Sequence, residues 1–165
     1  MIRFQYQGWI HMATHFQSMT LSGVSTVHTL TFFSKGQEYE LSLQSISAFN
    51  IVDSSVIFPS NYTFSASGCW EISFDLVGNM TNGRAFEQPV VGIVNGINVF
   101  RTVERAIYDH YSQFKTGMYI FQPDNGKLAA IYNRMLKNRL GRGFTLEIGL
   151  DPDRRSYVLR TPKCY

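Results

Sequence analysis

Cysteine is scarce in this chain, two in 165 residues, and histidine nearly so, with four. Cys69 and Cys164 are too few and too far apart for a disulfide framework, and no CxxC pair offers a zinc or redox motif. Of His11, His15, His28 and His110, only the first two stand four apart. Neither HExxH nor a nearby carboxylate accompanies them, so no metal site is expected. No apolar run approaches the ~20 residues that a membrane-spanning helix needs. The opening MIRFQYQGWIHMATHF lacks the unbroken apolar core and small-residue cleavage site of a signal peptide. A cytoplasmic protein with no membrane partner is the expectation. GxSxG and the P-loop are missing, and neither cysteine has an activating flank, which argues against a nucleophilic enzyme. Repeats, low-complexity tracts and Pro-rich linkers are also missing.

What is present suits a folded core. Hydrophobic residues make up 44% and aromatics 15% of the chain, which argues against disorder. The length fits one domain, 1–165, with a β-rich part at 1–68 and a mixed part at 69–165. A net charge of +3 hides an asymmetry. From Lys127 onward nine bases face three acids, whereas residues 1–126 hold six bases and nine acids. A basic C-terminal third suits an acidic protein surface, nucleic acid or a phosphorylated cofactor.

The period of the apolar residues sets the element order. VHTLTFF (27–33) and EYELSLQS (38–45) alternate around Gly36, as a hairpin does. ISAFNIVD and SVIFPS are further β-branched runs. YTFSAS and CWEISFDLVG predict a strand pair around Gly68, with Trp70, Ile72, Phe74 and Leu76 on one face and Glu71, Ser73 and Asp75 on the other. GNMTNGRAFEQ predicts a loop, and PVVGIV (89–94) a strand buried on both faces. Residues 98–114 take helical spacing, with Asn98 as N-cap and a stripe from Val99 to Phe114. GMYIFQP (117–123) predicts a strand and 126–140 a second helix with Leu128, Ile131, Tyr132, Met135 and Leu136 inward. FTLEIGL and SYVLRTP predict closing strands. The fold class expected is α+β or α/β: a mixed, strongly twisted sheet with two main helices, covering it on both sides. A strand–helix–strand passage implies a parallel crossover. Residues 8–19 are the one place where an N-terminal helix could form.

From about Trp70 onward this order resembles the GNAT fold of N-acetyltransferases. One motif accompanies it: Asn125, then Tyr132 seven residues later, then Gly143-Phe144. The chain's WEISFDL strand and its NVFRTVERAI and IYNRMLK helices also look similar to those of uncharacterised GNAT-like proteins of tailed phages. In active members the matching tyrosine lies near the CoA sulfur and can protonate the leaving thiolate, so the resemblance gives that role to Tyr132. Two features depart from the family. Ten residues, NRMLKNRLGR, separate Tyr132 from Gly143, where the family has three. The basic, Gly-rich segment that meets the CoA diphosphate is replaced by Val94-Asn95-Gly96-Ile97-Asn98-Val99-Phe100.

Three functions follow. The first is a non-enzymatic binding protein, phage-type, acting on a host or phage protein. Its contact surface would be the basic strip of Arg134, Lys137, Arg139 and Arg142 with Arg154 and Arg155, and it would use no cofactor. The second is an acetyl-CoA-dependent N-acetyltransferase. Here Asn95, Gly96, Asn98, Val99 and Asn125 would hold the cofactor, Tyr132 would serve as acid, and Glu71 or Asp75 as base. The third is nucleic-acid binding through the same strip. A homodimer through exposed strands is compatible with any of them.

Overall fold

The computed structural model describes residues 14–87, 96–124, 126–137 and 143–165, with residues 127 and 135–137 described by backbone only. Strands β1 (Gln17–Leu21), β2 (Ser25–Ser34), β3 (Gln37–Ile46) and β4 (Cys69–Leu76) come first. Then follow the short α1 (Val77–Thr81), α2 (Gly96–Phe114), β5 (Met118–Phe121), α3 (Gly126–Lys137), β6 (Thr145–Leu150) and β7 (Ser156–Arg160). The strands form one seven-stranded mixed sheet in the order β1-β2-β3-β4-β5-β7-β6. The β4–β5 pair is parallel and every other pair antiparallel, as the crossover through α2 requires.

The hairpin expected around Gly36 forms. Ser34 pairs with Gln37, and both turn residues take positive φ, Lys35 at 48° and Gly36 at 74°. That is a type I′ turn, whose twist matches the flanking strands and which glycine adopts without strain. The two faces of β4 also separate as expected. Ile72 packs with Leu41, Leu43, Tyr119 and Leu159 under the helices, flanked by Trp70 and Phe74. Cys69 faces the other way, with Met118, Ile120 and Val158.

Both main helices lie on one face of the sheet, not on both. Val103, Ala106 and Ile107 of α2 and Ala129 and Tyr132 of α3 belong to the same core as Leu41 and Leu43. The opposite face is covered by residues 47–68, an irregular segment that contributes Val56, Phe58, Tyr62 and Phe64. This corrects three further expectations. YTFSAS is not a strand and does not pair with β4; ISAFNIVD and SVIFPS give only a 3-10 turn at Ile51–Asp53 and one bridge, Ile57 to Asp151. Strand β3 pairs β4 along its whole length and β5 takes the start of its other edge, Cys69 to Glu71, the place expected for YTFSAS; the aromatics of this segment pack on the sheet face instead. Tyr62 anchors the segment: its hydroxyl donates to Glu147 at 2.8 Å and accepts from Arg160 at 2.8 Å, while Arg160 and Glu147 pair at 2.6 Å.

Other boundaries move less. Residues 17–19 belong to strand β1, so no helix spans 8–19; residues 8–13 lie outside the described residues. The expected loop at 78–88 begins inside α1. α2 starts at Gly96, so Asn98 sits in its first turn and is not the N-cap; its carbonyl accepts from the Thr102 hydroxyl at 3.0 Å. Phe114 and Ile131, expected inward, are 45% and 40% exposed, although the Phe114 ring packs 4.4 Å from His28 and 4.5 Å from His110 and Ile131 lines a cleft between β4 and β5. The strand expected at 89–94 and the last turn of the helix expected to reach 140 lie outside the described residues. Among the described residues no helix is long and apolar enough to cross a membrane.

Candidate functional site

Among the described residues the sheet opens where its one parallel pair ends. β4 pairs with β3 along its whole length, Cys69 to Leu76, but with β5 only from Cys69 to Glu71. Beyond that point the strands part, and β5 pairs no further with the edge of Ile72–Leu76. The gap is a cleft of about 670 Å³, within the range that holds a small ligand.

Each face of the sheet gives the cleft a different wall. On the helix side stand Phe74 of β4, Val99, Phe100 and Val103 of α2, Phe121 of β5 and Tyr132 of α3. Their rings interlock: Tyr132 lies 5.1 Å from Phe100, 5.0 Å from Phe121 and 6.3 Å from Phe74, between ring centroids. On the other side Glu71, Ser73 and Asp75 alternate outward from β4. Glu71 is not a free solvent-facing carboxylate. It accepts from the Ser55 amide at 3.0 Å and from the Ser55 hydroxyl, which ties residues 47–68 to the sheet. Asp75 is buried and accepts from the amides of Leu76 (2.7 Å) and Phe86 and from the Asn79 side chain (2.9 Å).

Charge distinguishes this cleft. Asp53, Glu71, Asp75, Glu87, Glu104 and Asp124 line it, and no Lys, Arg or His does so among the described residues. Partial desolvation at the cleft wall lifts the carboxyl of the exposed Asp124 above its usual range, and Asp75 adds to the lift, while Arg155 partly offsets it. Tyr39, 4% exposed, also lines the cleft, and its hydroxyl has no hydrogen-bond partner among the described residues. Burial raises the Tyr39 phenol pKa and the Asp75 charge raises it further. Burial holds Tyr132 far above the normal tyrosine range, with a contribution from Asp124, so it stays a neutral phenol.

The remaining expected site residues are scattered. Gly96 and Val99 line the cleft at the start of α2, whereas Asn98 does not. Asn95, Asn125, Arg139 and Arg142 lie outside the described residues, as does the Lys137 side chain. Arg134 is exposed on α3. Arg155 is engaged, donating to the Asp124 carbonyl at 2.8 Å and pairing with Asp153 at 2.7 Å. Arg154 borders a second hollow beside Phe58 and Leu150, away from the cleft. Cys69 is buried in the core, and its thiol is pushed up to about 12 by desolvation first, then Glu71 and Cys164. It is no nucleophile.

Tyr39, Phe100, Phe121 and Asp124 are site residues that the sequence did not single out. Glu71 and Asp75 carried a usable signal, alternating on one face of a strand. Asp124 lies just past Pro123, at the end of a strand, where a parallel pair opens.

No family model, curated protein or solved structure matches this chain.

Proposed function

We propose that this chain is a non-enzymatic binding protein on a GNAT-like scaffold and that its ligand sits in the cleft between β4 and β5. The element order from Cys69 on, with its parallel pair and a helix after each of β4 and β5, supports the scaffold. The partner belongs to the class expected from sequence, a protein of host or phage, but the contact moves from the basic strip to the cleft. The observation that carries this reading is the cleft's charge: six carboxylates and no basic side chain among the described residues that line it.

Acetyl-CoA fits that wall poorly. A phosphate 8 Å from a single carboxylate is opposed by about 2 kcal/mol at an effective dielectric of about 20. Val99 and Phe100, both buried, fill the first turn of α2, where small residues would have to admit the diphosphate. Isothermal titration with acetyl-CoA is expected to give no binding up to millimolar concentration; micromolar binding would reverse the proposal.

The N-acetyltransferase reading keeps one observation in its favour: Tyr132 does line the cleft. A phenol held so far above neutral pH is a weak proton source for a departing thiolate, since a general acid works best with a pKa near the working pH. Nucleic-acid binding through the basic strip has no supporting observation among the described residues.

A further inference from the structure

We infer that the cleft takes an extended basic peptide, with cationic and apolar side chains alternating, laid along the edge of β4 that no strand among the described residues pairs. The inference rests on the cleft being the functional site and names its occupant.

Three observations converge on this ligand. The first is the edge itself. From Ile72 to Leu76, β4 is paired with β3 on one side and, among the described residues, with no strand on the other. Alternate backbone N–H and C=O groups of a strand point to each side, so this edge can extend a ladder by adding a strand. The Leu76 amide is already held by Asp75 at 2.7 Å, so at roughly 3.3 Å per residue the stretch accommodates about four peptide residues in the ladder.

The second is the alternation across the edge. Ile72, Phe74 and Leu76 face the helices, while Glu71, Ser73 and Asp75 face away. A strand added here alternates with the same period of two. Its side chains on one face enter the aromatic wall of Phe74, Phe100, Phe121 and Tyr132. Those on the other face meet Glu71, Asp75 and the rim acids Asp53 and Glu87. An apolar–cationic alternation matches both faces; an acidic or uniformly charged peptide matches neither.

The third is Tyr39. Its hydroxyl is buried, lines the cleft and lacks a hydrogen-bond partner among the described residues. A buried polar group left unpaired costs about 1–3 kcal/mol, and a peptide amide or carbonyl in the cleft would remove that cost.

The test is fluorescence anisotropy on the whole protein with labelled Lys-Val-Lys-Phe-Lys. Its Glu-Val-Glu-Phe-Glu counterpart and the pattern-broken Lys-Lys-Val-Phe-Lys serve as controls. The expected result is saturable binding of the first peptide alone, weakening at least tenfold from about 50 mM to about 0.5 M salt as the charges are screened. The triple variant Asp53→Asn, Glu87→Gln, Asp124→Asn is expected to lose at least tenfold in affinity with an unchanged melting temperature, because these exposed side chains change charge but not shape. Equal binding of the acidic peptide, or an unaffected triple variant, overturns the inference. So does equal binding of the pattern-broken peptide, or full competition by spermidine at matched charge, which would make the occupant a cation without strand geometry. The neutral probe N-phenyl-1-naphthylamine separates the two proposals. If it binds and Phe100→Ala abolishes the binding while Lys-Val-Lys-Phe-Lys fails, the cleft remains the ligand site and the peptide falls. If both ligands fail, both proposals fall.

Discussion

His110 is fully buried at the centre of the helix-side core, where a charge has no water to solvate it. It is held between two partners: its Nε2 lies 2.9 Å from His28 Nδ1, and its Nδ1 lies 2.8 Å from the Tyr119 hydroxyl. A neutral chain satisfies these groups. His28 donates to His110, His110 donates to Tyr119, and Tyr119 donates to the Ile107 carbonyl at 3.5 Å. Trp70 closes over the pair, stacking on His28 at 4.5 Å. Burial, reinforced by His28, pushes His110 down to about 3, and burial lowers His28 as well. The unfolded chain binds these protons near pH 6.5 and the folded chain does not. The stability gained from the neutral pair is therefore complete above about pH 6.5 and is lost as the pH falls toward the folded value. Thermal unfolding monitored by circular dichroism should show a loss on the order of 3 kcal/mol between pH 7 and pH 4 from His110. His110→Leu should cost about 1–3 kcal/mol at pH 7, by stranding His28 and Tyr119, yet flatten the acid slope. An unchanged slope in that variant would place the acid sensitivity elsewhere.

At the scale of elements, the seam at Gly117 joins three parts of the chain. Its amide donates to the carbonyls of Ser67 and Gly68, both at 3.2 Å, and its carbonyl accepts from Thr161 at 2.9 Å. A Cβ placed there would lie 1.9 Å from Ser65 Oγ and 2.5 Å from Ser65 Cβ. Ser65 is itself tied to the Cys164 carbonyl at 3.1 Å and the Ser67 amide at 3.2 Å, so it cannot turn aside without losing both bonds. Gly117→Ala should destabilise by about 2 kcal/mol through this overpacking, read as a lower urea midpoint with an unchanged slope. The legible elements were those whose burial follows a period. The β2–β3 hairpin, both faces of β4 and the inner stripe of α2 through Ile107 could all be read from apolar spacing. β1 could not, since all five of its residues are exposed and leave no alternation. Residues 47–68 could not either: their aromatics are spaced as in a strand but pack on a sheet face as irregular chain.

At the scale of the whole molecule, the site comes from the way the sheet is put together. The sequence places Tyr132 inward and alternates Glu71 with Asp75, and the fold keeps both features. The cleft itself arises because β4 and β5 pair over three residues and then part, which no local pattern records. The same divergence gathers Asp53, Glu104 and Asp124 from separate segments, so the C-terminal excess of base gives no hint of an acidic site. If the cleft, and not the basic strip, meets the partner, hydrogen–deuterium exchange of the whole protein with and without Lys-Val-Lys-Phe-Lys separates the two surfaces. Exchange should slow at Ile72–Leu76 and in the first turns of α2, with the exposed face of α3 around Arg134 and the turn at Arg154 and Arg155 unchanged. Protection confined to that arginine surface, with none at Ile72–Leu76, would place the contact on the strip and not in the cleft.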